Sequence, residues 1–76
     1  MRKTVAVIAE KLGYSNNPHW QIVEIDQTGN KLTILDVGKT QPTVSCSGTH
    51  AYIAYGGIKY LYDYSGGFGA GYLKGI

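Results

Sequence analysis

The chain has one cysteine, two prolines, one tryptophan, one phenylalanine and no long apolar run, and each scarcity removes a class of protein. With Cys46 alone there is no intramolecular disulfide framework, so packing must hold the domain together without staples. That fits a reducing compartment, and a cytoplasmic location is expected. The N-terminal apolar stretch TVAVIA follows Arg2 and Lys3 as a signal peptide's would, but it runs for six residues before Glu10. It is too short for a secretory signal and far too short to span a bilayer, so a buried first strand is expected and no membrane partner. No Asn-x-Ser/Thr sequon is present.

Ligands and charge are scarce too. Cys46, His19 and His50 are the only cysteine and histidines, and a zinc site needs three or four ligands at fixed spacing, so neither a metal nor a cofactor is expected. Cys46 and His50 lie four apart with nothing evident to orient the histidine; a small buried thiol is the expected state of Cys46. A G-x-G-x-x-G loop in the tail would need glycine where Tyr72 stands, and no Gly-Lys-Ser/Thr follows. With no oriented acid, base or nucleophile, the chain does not read as an enzyme. Seven Lys/Arg against five Asp/Glu give a net charge of +2, and of the basic residues only Arg2 and Lys3 adjoin. Scattered charge of this kind gives little support to a strong phosphate-backbone binder and excludes an acidic nucleic-acid mimic.

What the chain does have is tyrosine and glycine. In Thr49 to Tyr64, THAYIAY-GG-IKYLYDY, two runs rich in Tyr and Ile flank Gly56-Gly57. Tight hairpin turns need φ > 0 at one or both central positions, which glycine supplies without steric cost. Pairing outward sets Tyr55 against Ile58, Ile53 against Tyr60, Ala51 against Tyr62 and Thr49 against Tyr64, all on one face. His50, Tyr52, Ala54, Lys59, Leu61 and Asp63 fall on the other. Four of the seven tyrosines therefore share a surface.

The rest of the chain reads as further short strands. Residues 3–10 are dense in β-branched side chains; a helix through Val5, Ile8, Ala9 and Leu12 is the alternative, but it lacks an N-cap beyond Thr4 and places cations at its positive end. Residues 13–18 read as a loop on turn chemistry. Residues 19–26 and 31–37 form a second hairpin in which Asp26 faces Lys31. Val23, Ile25, Leu32 and Ile34 then share one face, while Trp20, Ile22, Leu35 and Val37 share the other. A switch of apolar side midway along a strand marks a bulge or coil in a bending sheet. Thr43 to Ser47 is a short strand. In the tail, 65–76, five of twelve residues are glycine, yet Phe68, Tyr72, Leu73 and Ile76 recur as anchors, so a segment lying closely on the domain is expected. Both ends, Met1 included, are expected to pack.

The expected fold is a single all-β domain over 1–76, with five or six short antiparallel strands in a curled sheet or small open barrel of the SH3-like or OB-like size class. His50 should pair with Asp63 as an exposed contact, and Glu24 and Asp26 should lie on a solvated edge. The tyrosines carry two uses. Large rings can fill a core without staples, or Tyr52, Tyr55, Tyr64 and Tyr72 can remain outside as a recognition surface. The expected function is a non-enzymatic protein-binding module, an inhibitor of a host protein complex of the kind encoded by phages and mobile elements. Its binding residues are Trp20, Tyr52, Tyr55, Lys59, Tyr60, Tyr62, Tyr64 and Tyr72. The alternative is stacking of single-stranded nucleic acid, or of a carbohydrate, on the same rings.

Overall fold

Gly56 and Gly57 adopt φ of 54° and 79°, the left-handed pair that a type I′ turn requires. Around them β5 (His50–Tyr55) and β6 (Ile58–Asp63) pair from Tyr55 with Ile58 to His50 with Asp63, in the register the sequence predicts. The Tyr64 amide closes the ladder on the Thr49 carbonyl at 2.9 Å. Before this hairpin comes β4 (Thr43–Ser47), with the expected bounds, and after it β7 (Tyr72–Gly75) pairs with β6. The structure, a computed structural model, describes residues 2–76, so the expectation for Met1 lies outside it.

The N-terminal half forms a second sheet from β1 (Thr4–Tyr14), β2 (Asn17–Asp26) and β3 (Lys31–Gly38). The strand reading of residues 3–10 holds, and none of the described residues is helical. The expected loop at 13–18 is mostly ladder instead: Tyr14 pairs with Asn17 and Gly13 with Pro18, leaving only Ser15 and Asn16 to turn. Proline is tolerated in this central strand because β3 reaches only as far as Trp20, so no neighbour on that side needs the missing N–H.

The β2–β3 register also departs from expectation. Lys31 faces Ile25, not Asp26, and the expected pairing of Ile22 with Leu35 and Gln21 with Asp36 returns only after a bulge at Ile22/Val23. The cause is the Asp26 carboxylate, which is drawn into the turn. It accepts from the Thr28 and Asn30 amides at 2.9 Å each, from the Thr28 hydroxyl at 2.9 Å and from Asn30 Nδ2 at 3.0 Å. Lys31, released from Asp26, reaches across β2 to Glu10 at 2.7 Å. Val23 therefore shares a face with Thr33 rather than Ile34, and the bulge sits where the apolar side changes.

Among the described residues the architecture is thus all-β and antiparallel, with seven strands rather than five or six, divided into sheets β1-β2-β3 and β4-β5-β6-β7. The core lies between them. Val7 and Ile22 from one sheet meet Ala51, Ile53 and Tyr62 from the other, and Tyr64 just past the end of β6. The sheets adjoin where β1 runs beside β4, and there the Cys46 thiol donates to the Val7 carbonyl at 3.4 Å. Cys46 itself is exposed, not buried as expected, because β4 is an edge strand with its thiol at the seam. Of the four expected anchors in the glycine-rich tail, Phe68 and Leu73 are part-buried, while Tyr72 and Ile76 are exposed.

Gly71 is where that close approach is tightest. A Cβ there would lie 2.5 Å from Tyr62 Cζ and 2.8 Å from the Asp63 carbonyl oxygen, whereas at Gly75 it would meet nothing within 4 Å. Gly71→Ala should cost about 1–3 kcal/mol through overpacking, and Gly75→Ala should be near neutral. Urea denaturation of the two variants checks this, and equal midpoints would mean the tail is not seated on Tyr62.

Candidate functional site

The row of rings on the 49–64 hairpin is the inner face. Tyr62 and Tyr64 are 3% and 8% exposed, and Tyr55 and Tyr60 are half-buried, stacked at 6.3 Å and packed against the core. Tyr55, Tyr60, Tyr62 and Tyr64 therefore face inward, and the expected outward placement of Tyr55 and Tyr64 is overturned. The Tyr64 hydroxyl instead donates to the Gly48 carbonyl at 3.1 Å. A second sheet covering this face is the physical reason, since β1 and β2 supply Val7 and Ile22 opposite the rings.

Glu24 and Asp26 are the larger correction. Expected on a solvated edge, they are 0% and 1% exposed. Glu24 stands on the core face of β2, where the Tyr62 hydroxyl donates to Oε1 at 2.7 Å, the Thr4 hydroxyl donates to Oε2 and the Gly69 amide approaches Oε1 at 3.5 Å. Burial, then the Glu24 carboxylate, push the Tyr62 phenol well above its ordinary range, so it stays a donor. Burial also works against ionised Asp26, but the Asn30 and Thr28 hydrogen bonds outweigh it and hold the carboxyl at about 2. Arg2 Nε adds a contact at 3.7 Å. Both Glu24 oxygens are taken by protein donors, so the pair with Tyr62 ties β1, β2, β6 and the tail together instead of presenting a reactive group. Beside it opens a cleft of about 270 Å³ lined by Lys3, Thr4, Gly48, Thr49, Tyr64, Ser65 and Gly67.

The outer face of the β4–β7 sheet holds the accessible rings. Register places Ser45, Tyr52, Leu61 and Lys74 in one row across the four strands, and Ser47, His50, Asp63 and Tyr72 in the next. Lys59 follows beside Ala54. Tyr52 is 47% and Tyr72 63% exposed. The His50 ring meets Tyr52 edge-on at 5.3 Å, and His50 faces Asp63 as expected. The Ser65 amide donates to Asp63 Oδ1 at 2.9 Å and, with the Ser65 hydroxyl, holds that carboxyl below its usual range. Tyr52, Lys59 and Tyr72 thus come together, joined by Leu61 and by Lys74, whose place follows only once β7 is paired. Trp20 does not join them; it is half-buried on β2, opposite Lys11.

Among the described residues no three His, Cys, Asp or Glu side chains cluster to hold a metal ion, and no helix is long and apolar enough to cross a membrane. Comparison of the chain with protein-family models, curated proteins and solved structures gives no match.

Two measurements test the buried acids. Tyr62→Phe removes one of the Glu24 donors and should destabilise the fold by about 1–3 kcal/mol, read by chemical denaturation. For Asp26, the folded carboxyl titrates near 2 against an ordinary value of 3.8, so its stabilisation is complete above the ordinary value and fades as pH falls toward 2. Melting temperature should drop across that window, and the drop should be shallower in Asp26→Asn. An identical acid profile in both proteins would contradict the capping role.

Proposed function

We propose that the chain is a non-enzymatic binding module that docks onto a protein partner through the outer face of the β4–β7 sheet. One observation carries the reading. A domain that places four tyrosines against its core still holds Tyr52 and Tyr72 on the opposite face, 47% and 63% exposed. Leu61 stands between their rows, with Lys59 and Lys74 beside them. Tyrosine offers wide contact area with few torsions to freeze, and its phenol end tolerates water before docking. Rings fixed on an antiparallel ladder lose little further freedom on binding. An inhibitor encoded by a phage or mobile element would use such a face to cover a site on a host complex.

The test is recovery of a stoichiometric protein partner from a bacterial lysate, followed by affinity measurements on variants. Tyr52→Ala and Tyr72→Ala should each weaken the complex on the order of 30-fold, as central interface aromatics do, without lowering the melting temperature. Tyr14→Ala, which removes an 80%-exposed ring at the far end of β1, should change neither. Salt-dependent binding of an oligothymidine with quenched tyrosine emission, and no protein partner, would transfer the face to nucleic acid and end the proposal.

A further inference from the structure

We propose that β7 pairs antiparallel with β7 of a second copy, joining two four-stranded sheets into one of eight strands about a two-fold axis. This stands on edge geometry alone and does not depend on the docking reading above.

The phase of the β6–β7 ladder shows which backbone groups are free. The Ile76 amide donates to the Lys59 carbonyl at 3.0 Å, so Ile76 and Lys59 are a hydrogen-bonded pair. In antiparallel ladders such pairs alternate with pairs that exchange no bonds. Leu61 with Lys74 and Asp63 with Tyr72 are then bonded, and the N–H and C=O groups of Leu73 and Gly75 point away from β6. Among the described residues no turn or loop contact takes them up.

The other sheet margins are less suited. β4 lies against β1 through the Cys46–Val7 contact, and the β3 ladder is broken by two register shifts, so its free side is uneven. Along β7 the outward groups alternate regularly, and Tyr72 and Ile76 are 63% and 61% exposed.

Symmetry then selects the register. Residues directly paired across the axis must share a face, so one residue pairs with its own copy. Lys74 on the axis would set two ammonium groups together. Leu73 on the axis avoids this: the two Leu73 residues exchange both backbone bonds, and their side chains meet on the core side. On the outer side each Tyr72 ring lies opposite Lys74 of the second copy, an attractive cation–ring pair that occurs twice. Gly75 falls opposite Gly71, with no side chain to obstruct the strands. A short edge carrying a lysine makes a weak and reversible association. Its consequence is a continuous outer face with Tyr72 of both copies near the axis and Tyr52 of both flanking them.

Sedimentation of the intact chain from about 10 µM to about 1 mM, the range of weak interfaces, together with amide exchange at both ends of that range, tests the pairing. A concentration-dependent dimer is expected in which the Leu73 and Gly75 amides gain protection while those of Tyr72 and Lys74 do not change. Gly75→Pro removes an outward N–H and leaves the β6 ladder intact, so it should weaken the dimer about tenfold or more by deleting one hydrogen bond from each copy. A chain that stays monomeric at the upper concentration overturns the proposal, as does a dimer whose new protection falls on β3. A monomer whose Tyr52→Ala variant still loses its protein partner would leave the docking face standing and remove only the dimer.

Discussion

A single carboxylate placed where no water can reach it sets the terms for the rest of the fold. Glu24 occupies the core face of β2 with none of its surface exposed, and a buried charge of this kind is tolerated only when its lone pairs are met. The donors come from Thr4, Tyr62 and Gly69, which lie 20, 38 and 45 residues away in sequence. Phenylalanine at 62 would fill the same space and leave Oε1 without its strongest donor. Once Tyr62 must point inward, the side-chain alternation of β6 is fixed, and the Gly56-Gly57 turn passes that choice to β5. Ala51, Ile53, Tyr55 and Tyr60 are carried inside; Tyr52, Lys59 and Leu61 are carried out. A slip of one residue would reverse every one of them.

Asp26 plays a matching role at the end of the same strand. By turning its carboxylate into the 27–30 loop it shortens the ladder by one step and obliges β2 to recover the register through a bulge. The two acids thus divide the work of placing β2: one anchors it to the opposite sheet, the other decides where it stops. The tail completes the enclosure, since Gly71 lets the backbone approach the Tyr62 ring and the Gly69 amide reaches the carboxylate that ring serves.

Local chemistry made much of this readable in the chain. The Gly-Gly turn, the alternation on either side of it and the bounds of β4 all follow from neighbours in sequence, and the structure repeats them residue for residue. The change of apolar side along residues 19–37 likewise pointed to a bulge. Which face of the tyrosine hairpin lies inside was not readable, because both faces carry apolar residues and the choice rests with Val7, Ile22 and Glu24 in another sheet. An acid two residues from a turn is normally solvated, and only donors distant in sequence reveal that Glu24 is not. Pro18 misled for a related reason: its cost in a central strand vanishes where the third strand no longer reaches.

The division of the tyrosines bears on what the outer face can do. The hydroxyls of Tyr62 and Tyr64 end on Glu24 and on the Gly48 carbonyl, so those rings are committed to the fold. The Tyr52 ring touches His50 edge-on, and Tyr72 stands opposite Asp63 on the last strand, both with substantial surface in water. Neither can exchange places with an inward ring, since that would require β6 to rotate and Tyr62 to abandon a buried carboxylate. The outer surface is therefore held in one arrangement by an interaction on the opposite side of the same sheet. On the proposed docking, a partner would meet rings at Tyr52 and Tyr72 whose spacing is already set by the core, so the ordering cost that usually erodes small interfaces would have been met during folding.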